Sequence, residues 1–170
     1  MNYHSFFRTR PLLCKQHPND HIQQAGFSLV ELLIALAIAA TLVALAVPTY
    51  SSYIKGLKTD QAVHDIHLIE LIIQRYYTSN FKNPDSLTEL TGKYPAEDPW
   101  GNPYQYLNIA TVKGKGKVRK DKKLNPINSD YDLYSMGEDG KSVSPLTAKA
   151  SRDDIVRANN GGFVGLASDY

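Results

Sequence analysis

Residues 26–48 read Gly-Phe-Ser-Leu-Val-Glu-Leu-Leu-Ile-Ala-Leu-Ala-Ile-Ala-Ala-Thr-Leu-Val-Ala-Leu-Ala-Val-Pro. Between Phe27 and Val47 only Ser28, Glu31 and Thr41 are polar, and neither Gly nor Pro interrupts the run before Pro48. At a rise of ~1.5 Å per residue the run spans ~31 Å, the thickness of a bilayer core. The small residues Ala25 and Gly26 stand ahead of the apolar run. A secretory signal peptide has the opposite order and is cut behind its apolar part. Cleavage is therefore expected on the leader side, leaving the helix on the mature protein. A carboxylate inside a membrane span is costly and implies a partner. Glu31 has two readings: a helix end that reaches the interface, or a pair with the amine that a cut after Gly26 would create on Phe27 of a neighbouring copy. Pro48 removes a helical hydrogen bond and predicts a bend.

Toward the N terminus, residues 1–26 carry Arg8, Arg10, Lys15 and Asp20. They account for the whole net charge of +2, so the rest of the chain is neutral. A neutral body makes no general case for a nucleic-acid partner. The basic residues ahead of the span predict that end inside and the C-terminal part across the membrane. Cys14 is the only cysteine. Leu13 stands where a small residue would precede a lipidated cysteine, which disfavours that modification. The body cannot form an internal disulfide and must rely on packing or a bound ion.

Beyond Pro48 the helical pattern continues. Ala62, Ile66, Ile69, Ile73 and Tyr76 recur every three or four residues as one apolar stripe. Lys58, Asp60, Asp65, Glu70 and Arg75 are assigned to the other, solvent face. His64 and His67 share a helix face, but nothing completes a metal set, so they are read as solvated. The helix should end near Ser79-Asn80, before Asn83-Pro84-Asp85. From Pro84 onward, Pro, Gly and Asn punctuate short apolar-aromatic runs. Tyr104 to Ile109 and Tyr131 to Met136 are the best strand candidates. In Asp98-Pro-Trp-Gly-Asn-Pro-Tyr104 the prolines and Gly-Asn force a tight turn, and Trp100 is placed to plug one end of the core.

Asp139 lies in a glycine-flanked turn, and Asp153 and Asp154 follow. Their spacing is not that of an EF-hand, and it leaves calcium and a solvated acidic turn both open. Residues 113–123 hold Lys113, Lys115, Lys117, Arg119, Lys120, Lys122 and Lys123. They read as a mobile, solvated loop, with contact to DNA phosphates or an acidic neighbour as the alternative. No aromatic residue interleaves, so base stacking has no support. No nucleophile motif, phosphate loop or zinc spacing points to an enzyme.

The stretch 26–33, Gly-Phe-Ser-Leu-Val-Glu-Leu-Leu, resembles the prepilin cleavage and methylation motif of the type IV pilin and pseudopilin superfamily. Residues 98–104 and Ser135-Met-Gly-Glu-Asp-Gly140 resemble the major pseudopilin of type II secretion. The resemblance implies cleavage by a prepilin peptidase after Gly26, N-methylation of Phe27, and subunit registration by Glu31. It implies an α+β, pilin-like fold: one long N-terminal helix, half in the membrane and half packed on a small antiparallel sheet with a C-terminal loop region. The expected organisation is a leader over 1–26, a transmembrane helix over 27–48 and a periplasmic domain over 49–170. The family also implies one structural calcium, held by the side chains of Asp139, Asp153 and Asp154 and the carbonyls of Met136, Lys141 and Ser151. The Gly140–Asp153 loop is longer than usual for the family, Val156-Arg157-Ala158 replaces its common Gly-Asn-Trp, and an additional tail runs to Tyr170. The expected partners are copies of this chain in a helical filament, other pseudopilins and the inner-membrane secretion platform. An extracellular type IV pilin and a DNA-binding minor pilin are the alternative functions.

Overall fold

The computed structural model describes residues 26–170 other than Lys115. The leader residues before Gly26, including Arg8, Arg10, Cys14 and Lys15, lie outside the described residues. The chain divides into two units between Val43 and Ala44.

Helix α1 runs from Leu29 to Asn80 and continues through Pro48. Its end falls where Ser79-Asn80 predicts it. Ser28 caps its start. The Ser28 hydroxyl accepts from the Glu31 amide at 3.1 Å, and the Ser28 carbonyl accepts from the Leu32 amide at 3.1 Å. Ser28-Leu-Val-Glu31 thus has the spacing of a capping box. Every residue from Leu29 to Val43 is exposed within its unit. Such an apolar surface has no place in water and suits lipid or other helices.

In the second unit, α1 is buried along Ala62, Asp65, Ile66, Ile69 and Ile73. It packs on a sheet of four strands in antiparallel order: β1 (Gln105–Asn108), β2 (Tyr131–Ser135), β3 (Ile155–Ala158) and β4 (Phe163–Leu166). β1 and β2 fall inside the expected strands. β3 and β4 form a hairpin in the stretch expected as a C-terminal loop region and tail, with Ile155 opposite Leu166 and Ala158 opposite Phe163. Asn159 and Asn160 adopt positive φ at its turn, a conformation asparagine tolerates.

Alternation along the strands builds two cores. Tyr131, Leu133 and Ile155 meet the helix stripe, joined by Leu90 and Tyr104, with Tyr76 and Trp100 packed at the margin. Val156 and Ala158 point the other way, against Ile127, Leu146 and Ala167. Each fully buried Ile or Leu contributes ~1.5–3 kcal/mol, so the stripe alone anchors helix to sheet.

Two polar helix residues depart from the solvent-face assignment. Asp65 is buried and accepts from the Tyr104 hydroxyl at 3.0 Å. Burial, then Asp65, hold that phenol well above its usual range. Glu70 is half-buried and accepts from Arg157 Nε at 2.8 Å. Both flank the apolar stripe where the sheet reaches over it. His64 and His67 are exposed, in keeping with a solvated face.

Candidate functional site

Three residues at the head of α1 form the first group of sequence-predicted sites. Gly26 and Phe27 precede the helix and are exposed, Phe27 to 85%. Glu31 sits in the first turn of α1, exposed, where the helix dipole favours a carboxylate. The cap from Ser28 fixes that turn, so Glu31 projects from ordered backbone.

The second group lies around the C-terminal loop. The turn at 98–102 is built by Asp98. One carboxylate oxygen accepts from the amides of Trp100 at 3.0 Å and Asn102 at 2.8 Å. The other accepts from the Ser135 hydroxyl at 2.5 Å. Ser135 in turn accepts from the Gly137 amide at 3.0 Å, and the Asn102 side chain donates to the Gly137 carbonyl at 2.9 Å. The stretches 98–104 and 135–140, separate in sequence, are therefore one hydrogen-bonded structure. Gly137 has φ +65°, and a Cβ there would lie 2.3 Å from the Asp153 carbonyl oxygen. Backbone cannot yield that distance cheaply. Gly137→Ala is expected to lower stability by at least about 2 kcal/mol, measurable by thermal unfolding of the full chain in detergent. A loss below ~0.5 kcal/mol would contradict this packing.

The implied metal ligands share this neighbourhood. The Asp139 carboxylate accepts from the Lys141 amide at 2.7 Å, and the Asp139 amide donates to Asp153 Oδ2 at 3.1 Å. The Ser151 hydroxyl accepts from the Val143 amide at 2.9 Å. Asp154 is fully buried, and its Oδ2 accepts from the Ser142 hydroxyl at 2.6 Å and from Arg119 Nη2. Burial pushes its carboxyl up, and the Ser142 and Arg119 bonds oppose the shift. Calcium takes six to eight oxygens around one point. Among the described residues, no three carboxylate, imidazole or thiol groups gather on a common point. The donor types suit calcium, and a guanidinium, that of Arg119, faces Asp154.

Arg119 also departs from the solvated-loop reading of 113–123. Lys113, Lys117, Lys122 and Lys123 are exposed, whereas Arg119 is only 2% exposed. Asp121 closes an ordered turn by accepting from the amides of Lys123 at 2.8 Å and Asn125 at 2.7 Å. On the helix side of the sheet, Arg157 is equally buried, between Glu70 and Asp130. Neither buried arginine stood out in the sequence. For Arg157 a signal existed: a lone basic residue within Ile-Val-Arg-Ala, just before Asn-Asn-Gly-Gly. For Arg119 the flanking lysines conceal it.

The prokaryotic N-terminal methylation motif matches residues 22–47. The type II secretion system core protein G of Pseudomonas aeruginosa is 34% identical over 140 residues, covering 70% of this chain and 87% of that protein. The core protein G of Aeromonas hydrophila is 28% identical over 140 residues, with coverages of 71% and 87%. A fimbrial protein of Neisseria meningitidis is 27% identical over 143 residues, with coverages of 79% and 84%.

Proposed function

Because this chain belongs to the family of the type II secretion system core protein G, we propose that it is a structural subunit of a pseudopilus that drives protein secretion across the outer membrane. The observation that carries this reading is the exposed apolar helix head with a single acidic residue, Glu31, one turn inside it. Apolar helices in a filament pack side by side and supply cohesion, while one charge per helix can set the register. Before assembly the subunit waits in the inner membrane, with residues 49–170 in the periplasm. A prepilin peptidase removes the leader after Gly26, and other pseudopilins and the inner-membrane platform complete the machine. The role is structural, and no reaction is assigned to it.

Deleting the gene is expected to leave type II substrates trapped in the periplasm, and restoring the chain should return them to the medium. Similarity to the Neisseria fimbrial protein favours the second reading, an extracellular type IV pilin. Normal secretion with loss of surface fibres would favour that reading and sink the first.

A further inference from the structure

We propose that Arg119 is the resident cation of the C-terminal loop: its guanidinium stands at Asp154 in the role the family resemblance gives to a metal ion, so this loop holds its fold without calcium. Arg119 lies on the sheet face opposite α1, 4.3 Å over the ring of Tyr134. Its amide donates to Asp132 Oδ2 at 2.7 Å, and its Nη1 donates to the Val143 carbonyl at 2.6 Å. Its Nη2 reaches Asp154. One side chain and its own amide thus tie β2, the loop after Gly140 and the entry to β3. An ion bound by Ser151 and Asp154 would tie two of the same segments, the loop after Gly140 and the entry to β3.

The unpaired atoms support the same assignment. Arg119 Nε and Asp154 Oδ1 are both buried without a hydrogen-bond partner in the protein, one on each member of the pair. A guanidinium and a carboxylate meet edge to edge in a two-bond fork. Nε and Nη2 lie on one edge of the guanidinium that makes such a fork, and Oδ1 and Oδ2 are its acceptors. The pair is then complete, and Asp154 needs no second cation. A divalent ion on Asp154 would instead strand a buried guanidinium beside it, which a low-dielectric interior penalises heavily. Calcium and Arg119 therefore exclude one another. The longer Gly140–Asp153 loop supplies two of the anchors, Ser142 on Asp154 and the Val143 carbonyl on Arg119.

The test is thermal unfolding of the full chain in detergent, with millimolar calcium and with excess chelator. The wild-type midpoint is expected to be the same in both. Arg119→Gln should fall by roughly 10 °C in chelator, and calcium should restore much of the loss by taking the vacated role at Asp154. Arg119→Lys, which keeps the charge without the fork, should fall less and ignore calcium. A wild-type midpoint that drops in chelator overturns the proposal, as does an Arg119→Gln protein that calcium does not raise. Should Arg119→Gln fail to fold, the wild type and Arg119→Lys decide alone: calcium dependence in either overturns it. No arm reads secretion, so the outcome is independent of the filament function.

Discussion

Replacing Arg157 with methionine is expected to lower the stability of the chain by about 3–5 kcal/mol, enough to leave much of it unfolded at growth temperature given typical totals of ~5–15 kcal/mol. The side chain is 3% exposed and directs its donors at four residues, one of them Asn128, whose Oδ1 accepts from Nη1 at 3.5 Å. Nε reaches Glu70 Oε1 on α1 at 2.8 Å. Nη1 and Nη2 grip Asp130 in a fork at 2.9 and 2.8 Å. Nη1 also donates to the Tyr131 carbonyl at 3.2 Å, and the guanidinium stacks 4.0 Å over the Tyr131 ring. Methionine fills the volume but leaves Glu70 and Asp130 without their counter-charge, and the stranded carboxylates supply most of the cost. Lysine is no substitute, because a point charge on a flexible stem cannot serve a fork and a third acceptor together. Gly161 belongs to the same arrangement: a Cβ there would lie 2.3 Å from Glu70 Oε1. Thermal and protease-resistance assays on the full chain provide the readout. A loss under ~1 kcal/mol for Arg157→Met would reduce the cluster to a surface pair.

The same residues show how far a sequence can be read. The span and its motif are local: apolar residues without interruption, small residues ahead of them, one glutamate. Nothing distant decides them. The stripe Ala62, Ile66, Ile69, Ile73 is equally local, since a helix fixes its own periodicity. For Asp65 and Glu70 charge is the default sign of exposure, yet their partners lie 39 and 87 residues away at Tyr104 and Arg157. No window along the chain contains both ends of such a bond. β3 and β4 are illegible for another reason. Each is four residues long, Arg157 breaks the apolar run of the first, and Gly165 interrupts the second. The length of the loop after Gly140 is legible, but the buried arginine that donates to its Val143 carbonyl comes from a run of lysines. Its burial is a property of the tertiary structure alone.

In the first turn of α1, Glu31→Leu is expected to act in opposite directions on two observables. Removing a carboxylate from a membrane span relieves ~2.5–3.5 kcal/mol if it sits at mid-depth, less near the interface. The variant should therefore insert at least as well as the wild type and remain a stable membrane protein. Assembly should nonetheless fail. Under the proposed pairing, Glu31 meets the amine of Phe27 on a neighbouring subunit, and truncating one member of a desolvated charge pair costs ~2–5 kcal/mol. At ~1.4 kcal/mol per tenfold, the lower bound is a fall of about 30-fold in subunit association. Shearing or cross-linking assays should show almost no filament, and secretion should stop. Ser28→Ala separates this from damage to the helix end, since it removes the cap at 3.1 Å while keeping the charge. Its expected cost is ~1 kcal/mol of helix stability, with filaments retained. Normal filaments from Glu31→Leu would show that apolar packing alone sets the register, and would return Glu31 to the simpler role of a helix end reaching for the interface.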